Sequence, residues 1–382
     1  MMKILMVAPE PFFEARGTPF SEYYRIRSLL EQGHTVDLYT YPLGEEVSLP
    51  GLTVHRSLKP FWIKSVVIGP SINKLFLDFF LFLKALFAAW RGRGSYGYVH
   101  THEEAGYLGA LVKRVFKIPH LYDMHSSLPQ QMINFNTTKS SFVIGLLKRG
   151  EGFVLRSADR IITICPELYK YVTSLFPEKR VFLIENFLDQ EYEVDPERVK
   201  EIRALFPGKR IVLYAGTLEY YQGIEILLEA TRFLPEDVAL LSVGGRDDQI
   251  RDLLRKGEYD PSRVRLLPQV PKREISSYIA GCDVLVSPRK EGTNTPLKIY
   301  SYMKSGKPVV ATSILSHTQI LDETTSILVE PTPQGLARGI LEAFGERGVS
   351  CAAKAEEYGK EHFSPERYLH LVALSVEGLG RS

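Results

Sequence analysis

An α/β chain of two doubly wound, Rossmann-like domains is what this sequence predicts, on three observations. Short continuous apolar runs alternate with helix-length periodic segments, the pattern of parallel strands covered on both faces. The alternation pauses once, in a polar and charged stretch from Asp189 to Lys200, and then begins again. The 382 residues suffice for two domains of about 150 residues each.

In the first series Lys3–Ala8 reads as a strand, followed by a loop carrying Gly17 and a helix from about Phe20 to Glu31. Gly33 ends that helix and Thr35–Thr40 is the next strand. Tyr98–His102, His120–Asp123 and Arg160–Ile164 are further strands, and the pattern pauses near Phe182–Asn186. The second series opens with strand Arg210–Ala215 and a helix with Ile224, Leu227 and Leu228 on one face. Val238–Val243, Val264–Leu267, Asp283–Ser287, Pro308–Ala311 and Ile327–Val329 complete its strands. The expected domains are 1–187 and 188–364, with ligands at the carboxyl ends of the strands in the cleft between them.

Composition narrows the function class. Lys+Arg 47 against Asp+Glu 45 leaves +2, too little for a general nucleic-acid-binding surface. Cys165, Cys282 and Cys351 are odd in number and far apart, which fits neither a disulfide framework nor a zinc site and points to a reducing compartment. The opening MMKILMVAPE enters a strand at once, without the apolar segment and cleavage site of a secretory signal, so a cytoplasmic location is expected. Leu75–Trp90 is apolar and aromatic, but it falls short of the ~18–20 residues that span a bilayer and carries Asp78 and Lys84. Two readings fit it. One is a buried helix of the α/β domain. The other is a helix lying on the inner face of the cytoplasmic membrane, because Lys59, Lys64, Lys74, Lys84, Arg91 and Arg93 surround its aromatic residues.

Glycines stand where strands end: Gly17, Gly216, Gly244-Gly245 and Gly292. Such glycines let backbone approach a ligand, although neither GxGxxG nor GxxxxGK[ST] occurs. The most informative segment is Glu291–Thr312, EGTNTPLKIYSYMKSGKPVVAT. Its loop Gly292-Thr293-Asn294-Thr295-Pro296 offers backbone N–H groups ahead of a helix near Leu297, a geometry suited to a diphosphate. His125 follows a strand, and His100, His102, Glu103 and Glu104 form a second cluster after another. His-x-His has no third ligand at suitable spacing, and no Asp-x-Asp clamp is present, so a metal-independent site is expected. Cys165, in Ile164-Cys-Pro, reads as packing. A carboxylate pair for hydrolysis has no fold to align it.

With Tyr214-Ala-Gly-Thr-Leu-Glu-Tyr-Tyr-Gln-Gly-Ile, Val243-Gly-Gly, Ala280-Gly-Cys-Asp-Val-Leu-Val-Ser-Pro, Asp159-Arg-Ile-Ile-Thr-Ile-Cys-Pro-Glu and Phe363-Ser-Pro-Glu-Arg, that segment resembles family 4 (group 1) retaining glycosyltransferases, from Lys3 to about residue 375. The resemblance implies the GT-B fold, two Rossmann-like domains facing each other across a deep cleft, with a C-terminal helix (about 365–382) returning to the N-terminal domain. It also implies transfer of a sugar from a nucleotide-diphosphate sugar, without a cofactor, to an acceptor hydroxyl on a lipid-linked molecule or polysaccharide precursor. The diphosphate would lie near Gly216, Thr217 and Asn294-Thr295-Pro296, the base near Gly244 and Val270, and the ribose near Glu291 or Ser301. Gln222, Gly292 and Thr293 join this donor side. Gly17, Thr18, His102 and Glu103 would face the acceptor, with His125 and Glu291 catalytic.

The sequence also departs from the family. Thr217 and Gln222 stand where many members carry the Arg and Lys that hold the diphosphate. Thr293 and Ser301 occupy the positions of a Glu-x7-Glu pair, leaving Glu291, two residues upstream, as the candidate replacement. The cationic share of phosphate binding then falls to Arg289, Lys290 or Lys298, and the sequence leaves open which. A catalytically silent sugar- or lipid-binding relative and a GT-B-shaped sugar-nucleotide epimerase also fit these departures.

Overall fold

The computed structural model describes residues 1–13, 17–63, 66, 71–134, 140–187, 193–257 and 259–380. The chain forms two compact units: Met1–Leu188 with Pro365–Ser382, and Asp189–Ser364. Residues 188–192, where the sequence puts the junction, lie outside the described residues.

The first unit runs β1 (Lys3–Ala8), α1 (Gly17–Glu31), β2 (Thr35–Thr40), β3 (Leu52–Arg56), α2 (Ile72–Arg91), β4 (Tyr96–His102), α3 (Gly106–Phe116) and β5 (His120–Met124). It continues through α4 (Leu128–Asn134), α5 (Ser141–Ser157), β6 (Arg160–Thr163), α6 (Pro166–Leu175) and β7 (Arg180–Leu183). Among the described residues the strands pair in parallel in the order β3-β2-β1-β4-β5-β6-β7. Ile4 to Ala8 of β1 are fully buried, as a strand covered by helices on both faces requires.

The second unit runs α7 (Pro196–Ala204), β8 (Arg210–Ala215), α8 (Ile224–Ala230), β9 (Val238–Gly245), α9 (Asp247–Lys256), β10 (Val264–Pro268) and α10 (Ile275–Gly281). After these come β11 (Val284–Ser287), α11 (Leu297–Met303), β12 (Val309–Thr312), α12 (Leu315–Thr318), β13 (Ile327–Val329), α13 (Pro333–Ala343) and α14 (Glu346–His362). Its order is β10-β9-β8-β11-β12-β13, again parallel. Strand order reverses between β1 and β4 in one unit and between β8 and β11 in the other. Such reversals open a crevice at the carboxyl ends of the strands.

Four local readings are corrected. α1 begins at Gly17 rather than near Phe20, so Gly17 and Thr18 belong to a helix; the side chain of Thr18 is not among those described. β3 is a half-exposed edge strand, LTVHR, without the continuous apolar run that reveals central strands. The stretch read as polar linker contains α7, started by Pro196 in its first turn and by the Asp195 carboxylate, which accepts from the N–H groups of Glu197 and Arg198. Finally, α2 is neither wholly buried nor wholly on the surface. Leu77, Leu81, Ala85 and Ala89 enter the core, while Leu75, Phe79, Leu83 and Phe87 face out.

The last helix, α15 (Pro365–Val376), packs on α1 of the first unit. Tyr368 meets Phe187 edge-on at 5.5 Å, and the Arg160 guanidinium donates to the carbonyls of Leu374 (3.2 Å), Ser375 (3.0 Å) and Glu377. These are carbonyls a helix end leaves without intrahelical partners, so one buried arginine ties α15 down. Arg160→Ala should weaken this attachment by about 2 kcal/mol. Hydrogen exchange should then show α15 amides opening roughly 30-fold more often, with the second unit unchanged.

Candidate functional site

In the second unit the crevice lies between β8 and β11. The two strands pair only at Val212–Val284 and Leu213–Leu285. Beyond that point the Ala215 N–H donates instead to the Tyr302 hydroxyl (2.9 Å), and the strand ends part. Gly216 follows β8 at φ +155° and Gly244, next to last in β9, has φ +122°. A Cβ on Gly244 would lie 2.5 Å from the Gly216 carbonyl oxygen, and one on Gly216 would lie 2.6 Å from Lys298 Nζ. Only glycine lets these backbones meet so close to a charged side chain.

Two cations converge here. Lys298, on α11, places Nζ 3.8 Å over the Tyr214 ring. The ammonium is shielded from solvent, with no hydrogen-bond partner among the described residues, although part of the residue is exposed. Burial and the nearby Arg289 charge hold the Lys298 pKa well below its ordinary value. Arg289 follows β11, donates to the Asn294 carbonyl (2.7 Å), lies over Tyr221 and packs against Gly292. Burial lowers its pKa too. Both side chains rest on aromatic rings, which attract a cation without neutralising it.

Lys290, adjacent in sequence, has another fate. Its ammonium lies 3.3 Å from the Tyr220 ring centre and 3.8 Å from a Glu225 oxygen, so it is compensated elsewhere. Of the three cations left open by the sequence, the packing brings Arg289 and Lys298 together.

The remaining donor-side residues are spread around this pair. Thr217 is exposed, and its carbonyl accepts from the Tyr214 hydroxyl (2.6 Å). Gln222, in the turn before α8, buries an unpartnered Oε1, and Thr295 buries an unpartnered Oγ1. The Thr293 carbonyl accepts from Gln319, Pro296 caps α11, and Ser301 lies on that helix. Val270 is half-buried just past β10, and Glu291 is exposed.

His317 was not anticipated. Its Nδ1 lies 2.8 Å from the Thr312 carbonyl and therefore donates, so Nε2 accepts from the Ser287 hydroxyl (2.8 Å). Thr312 Oγ1 in turn donates to the Arg289 carbonyl (2.5 Å), fixing the loop that carries the guanidinium. Burial drops the His317 pKa to about 4 and keeps it neutral. A lone histidine in SILSHTQ carries no signal of this role.

In the first unit a buried polar chain crosses the carboxyl ends of β4 and β5. Glu22 and Arg25 project from α1 one turn apart. Glu22 Oε2 lies 2.8 Å from His102 Nε2, His102 Nδ1 lies 3.3 Å from His125 Nε2, and that atom lies 3.3 Å from Asp123 Oδ1. Arg25 Nε donates to Asp123 Oδ2 (3.0 Å). Burial opposes charge on Asp123, but Arg25 and His125 outweigh it and hold the acid well below its ordinary pKa. For His125 burial likewise lowers the pKa, but Asp123 reverses the sign and raises it. His100, stacked on His102, is pushed by burial to about 4.

Glu103 turns the chain out of β4 at φ +43°, a conformation few side-chain-bearing residues adopt. It accepts from the Ser126 hydroxyl (2.8 Å), and burial, then Glu104, push its pKa up to about 7. The candidates His102, Glu103 and His125 are therefore brought together. Sequence spacing missed their partners Glu22 and Arg25, because α1 lies about a hundred residues earlier in the chain. His125 is only 3% exposed, so replacing it affects folding as well as any chemistry. His100, His102 and Asp123 place ligand atoms within 4.8 Å of one another, but Arg25 and Glu22 already engage two of the three. Cys165 is buried with its pKa raised to about 11, an unreactive thiol.

Comparison with known proteins gives these two sites a context. The family model "Glycosyltransferase Family 4" matches residues 23–192, and "Glycosyl transferases group 1" matches residues 209–346. An uncharacterised glycosyltransferase of Methanocaldococcus jannaschii is 25% identical over 279 residues, covering 70% of this chain and 72% of that protein. Sucrose-phosphate synthase from Thermosynechococcus elongatus superposes with a TM-score of 0.79 at 20% identity, over 99% of both chains. HepE of Anabaena, in complex with UDP and glucose, superposes with a TM-score of 0.73 at 18% identity, over 99% of this chain and 100% of that one. These two likenesses establish the GT-B fold. With a family 4 domain matched over residues 23–192 and a group 1 domain over residues 209–346, the chain is a glycosyltransferase of the group 1, family 4 type.

Proposed function

We propose that this glycosyltransferase is a retaining, metal-independent enzyme whose donor is a nucleotide-diphosphate sugar bound on the second unit. The observation carrying the reading is the Arg289–Lys298 pair: two shielded cations beside glycine backbone, resting on rings rather than carboxylates. Burying charge costs several kcal/mol per ion unless it is balanced, and a diphosphate balances both. HepE, which shares the fold, has been solved with UDP and glucose. The pair also answers the departure at Thr217 and Gln222, because the cations missing there are supplied from β11 and α11.

The chemistry asked of the chain is stabilisation of the departing diphosphate, which preorganised charge in a dry site does well. The anomeric C–O bond to phosphate breaks as the acceptor oxygen bonds on the same face, and a donor phosphate oxygen takes the acceptor proton. The first unit serves the acceptor. His125, its pKa raised by Asp123, donates to a sugar hydroxyl or polarises the acceptor, with Glu22 and His102 as positioning residues behind it. The acceptor is lipid-linked or a polysaccharide precursor at the inner face of the cytoplasmic membrane, a reading supported by the outward apolar stripe of α2.

Calorimetric titration with UDP tests the donor site. Lys298→Met and Arg289→Gln should each weaken binding roughly 10- to 100-fold, whereas Lys290→Gln should change it less than about threefold, since Glu225 already compensates that charge. Equal effects at all three positions would remove the pair from the site. A panel of nucleotide sugars with product analysis then separates transfer from epimerisation and from silent binding.

Turnover in excess EDTA should equal turnover with Mg²⁺ or Mn²⁺, because the pair supplies the positive field that a metal would otherwise provide. Activity lost to the chelator and restored by either ion refutes metal independence.

The histidine relay predicts a pH signature. A raised native pKa at His125 means its contribution to stability is full below the ordinary value of about 6.5 and is lost as pH rises through the native value. The urea-midpoint gap between wild type and His125→Gln should therefore be widest below about pH 6.5 and shrink as pH rises above it. His125→Gln should also cost about 10²–10³ in kcat per folded molecule while leaving UDP affinity unchanged. A variant with normal kcat leaves His125 a structural residue.

A further inference from the structure

The outer surface of α2, α3 and α5 in the first unit is apolar in a manner that core packing does not explain. On α2, Leu75, Phe76, Phe79, Leu83, Phe87 and Trp90 form one face, with Phe79 58%, Phe87 56% and Trp90 52% exposed. Phe61 and Trp62 extend it, Trp62 meeting Phe76 edge-on. On α3, Tyr107, Leu111 and Val115 repeat at four-residue steps and are all exposed. On α5, Phe142 (77% exposed), Leu146 and Phe153 line a stripe shared with Arg149.

These stripes belong to one surface. The chain passes from β3 to β4, β5 and β6, always in the same direction across the sheet where order is counted from β1, so right-handed crossovers lay α2, α3 and α5 on the same sheet face. α3 packs against both neighbours. Gly106 and Gly150 permit its close approach to α5, since a Cβ there would lie 2.6 Å from Val154 and 2.5 Å from the Tyr107 hydroxyl. Sides turned away from a common sheet point the same way.

Charge says what covers this surface. The three helices hold eight lysines and arginines and two carboxylates. Both carboxylates are turned inward: Asp78 accepts from the Tyr41 hydroxyl (2.6 Å), and buried Glu151 accepts from Tyr171 (2.6 Å) and Ser127 (3.1 Å). No exposed carboxylate occurs on these helices among the described residues, while Arg91, Arg114, Lys148 and Arg149 are exposed. A chain that is nearly neutral overall has thus sorted its charge, leaving the exposed charged side chains of these three helices all cationic, with Lys113 of α3 paired to Asp159 just beyond α5. No described helix is long and apolar enough to cross a membrane, so the face lies along a bilayer rather than through it.

From this arrangement we infer that the α2–α3–α5 face docks on an anionic phospholipid bilayer, aromatic side chains entering the interface and arginines and lysines meeting lipid phosphates. A second copy of the chain would set cations against cations. The inference deepens the reading of a membrane-borne acceptor by naming the surface that brings the enzyme to it.

The test is flotation of the full chain with phosphatidylcholine vesicles, with and without about one-third phosphatidylglycerol, in low and high salt, together with UDP titration of the same preparations. Wild type should float with anionic vesicles, much less with neutral ones, and less in high salt. Phe79→Asp/Phe87→Asp should remain at the bottom while melting at the wild-type temperature and binding UDP normally. Lys148→Gln/Arg149→Gln should reduce partitioning roughly 25-fold, about fivefold per charge. Wild type that stays soluble, or a double-aspartate variant that floats as well as wild type, overturns the inference. So does a dimer in sedimentation that Phe79→Asp/Phe87→Asp dissolves without any vesicle binding. Failure of the donor reading appears separately, as wild type that floats but does not bind UDP.

Discussion

Unbalanced positive charge at the mouth of β8 and β11 is the constraint around which the second unit is organised. Arg289 and Lys298 are held out of bulk water against Tyr221 and Tyr214. Among the described residues no carboxylate pairs with either of them. The surroundings make that tolerable. Tyr302 takes the Ala215 amide and lets the strands part, Gly216 and Gly244 keep backbone out of the way, and neutral His317 braces the Arg289 loop through Thr312. Each holds the two cations in position without neutralising either.

The first unit solves the opposite problem. Its crevice residues are nearly all compensated: Arg25 by Asp123, His102 by Glu22, and His125 by Asp123 again. A buried network of this kind is costly to break, because removing one member leaves its partners buried and unpaired. The result is a histidine whose pKa Asp123 raises beside His100, which burial lowers to about 4, and a glutamate in a left-handed turn raised to about 7. One unit holds two shielded cations on aromatic rings; the other sets its buried polar groups against opposite charges. That division suits a reaction whose charge develops on the donor's leaving diphosphate while the acceptor needs orientation.

Much of the fold was legible in the chain. Central strands such as Lys3–Ala8 and Arg210–Ala215 are continuous apolar runs because both faces are covered, and that pattern survives without knowledge of the partners. The edge strand Leu52–Arg56 was not legible, since half-exposure removes the apolar signal. In the site, the loop Gly292–Pro296 and the strand-end histidines were visible as motifs. Glu22, Arg25 and His317 were not, because each acts through a neighbour distant in sequence and sits in an unremarkable helical context.

The sequence by itself determined the elements and their order, because hydrophobic periodicity, caps and glycine stops are local physics. It also left Arg289, Lys290 and Lys298 as the candidate cations once Thr217 and Gln222 stood where others expect Arg and Lys. Where each of those side chains goes was decided only by the tertiary structure. Arg289 and Lys290 are adjacent and chemically alike, yet successive side chains leave the backbone in different directions. Lys290 meets Tyr220 and Glu225 and is compensated, whereas Arg289 meets Tyr221 and the Asn294 carbonyl and has no carboxylate partner among the described residues. That difference arises from what packs against each side chain, and no residue spacing along the chain encodes it.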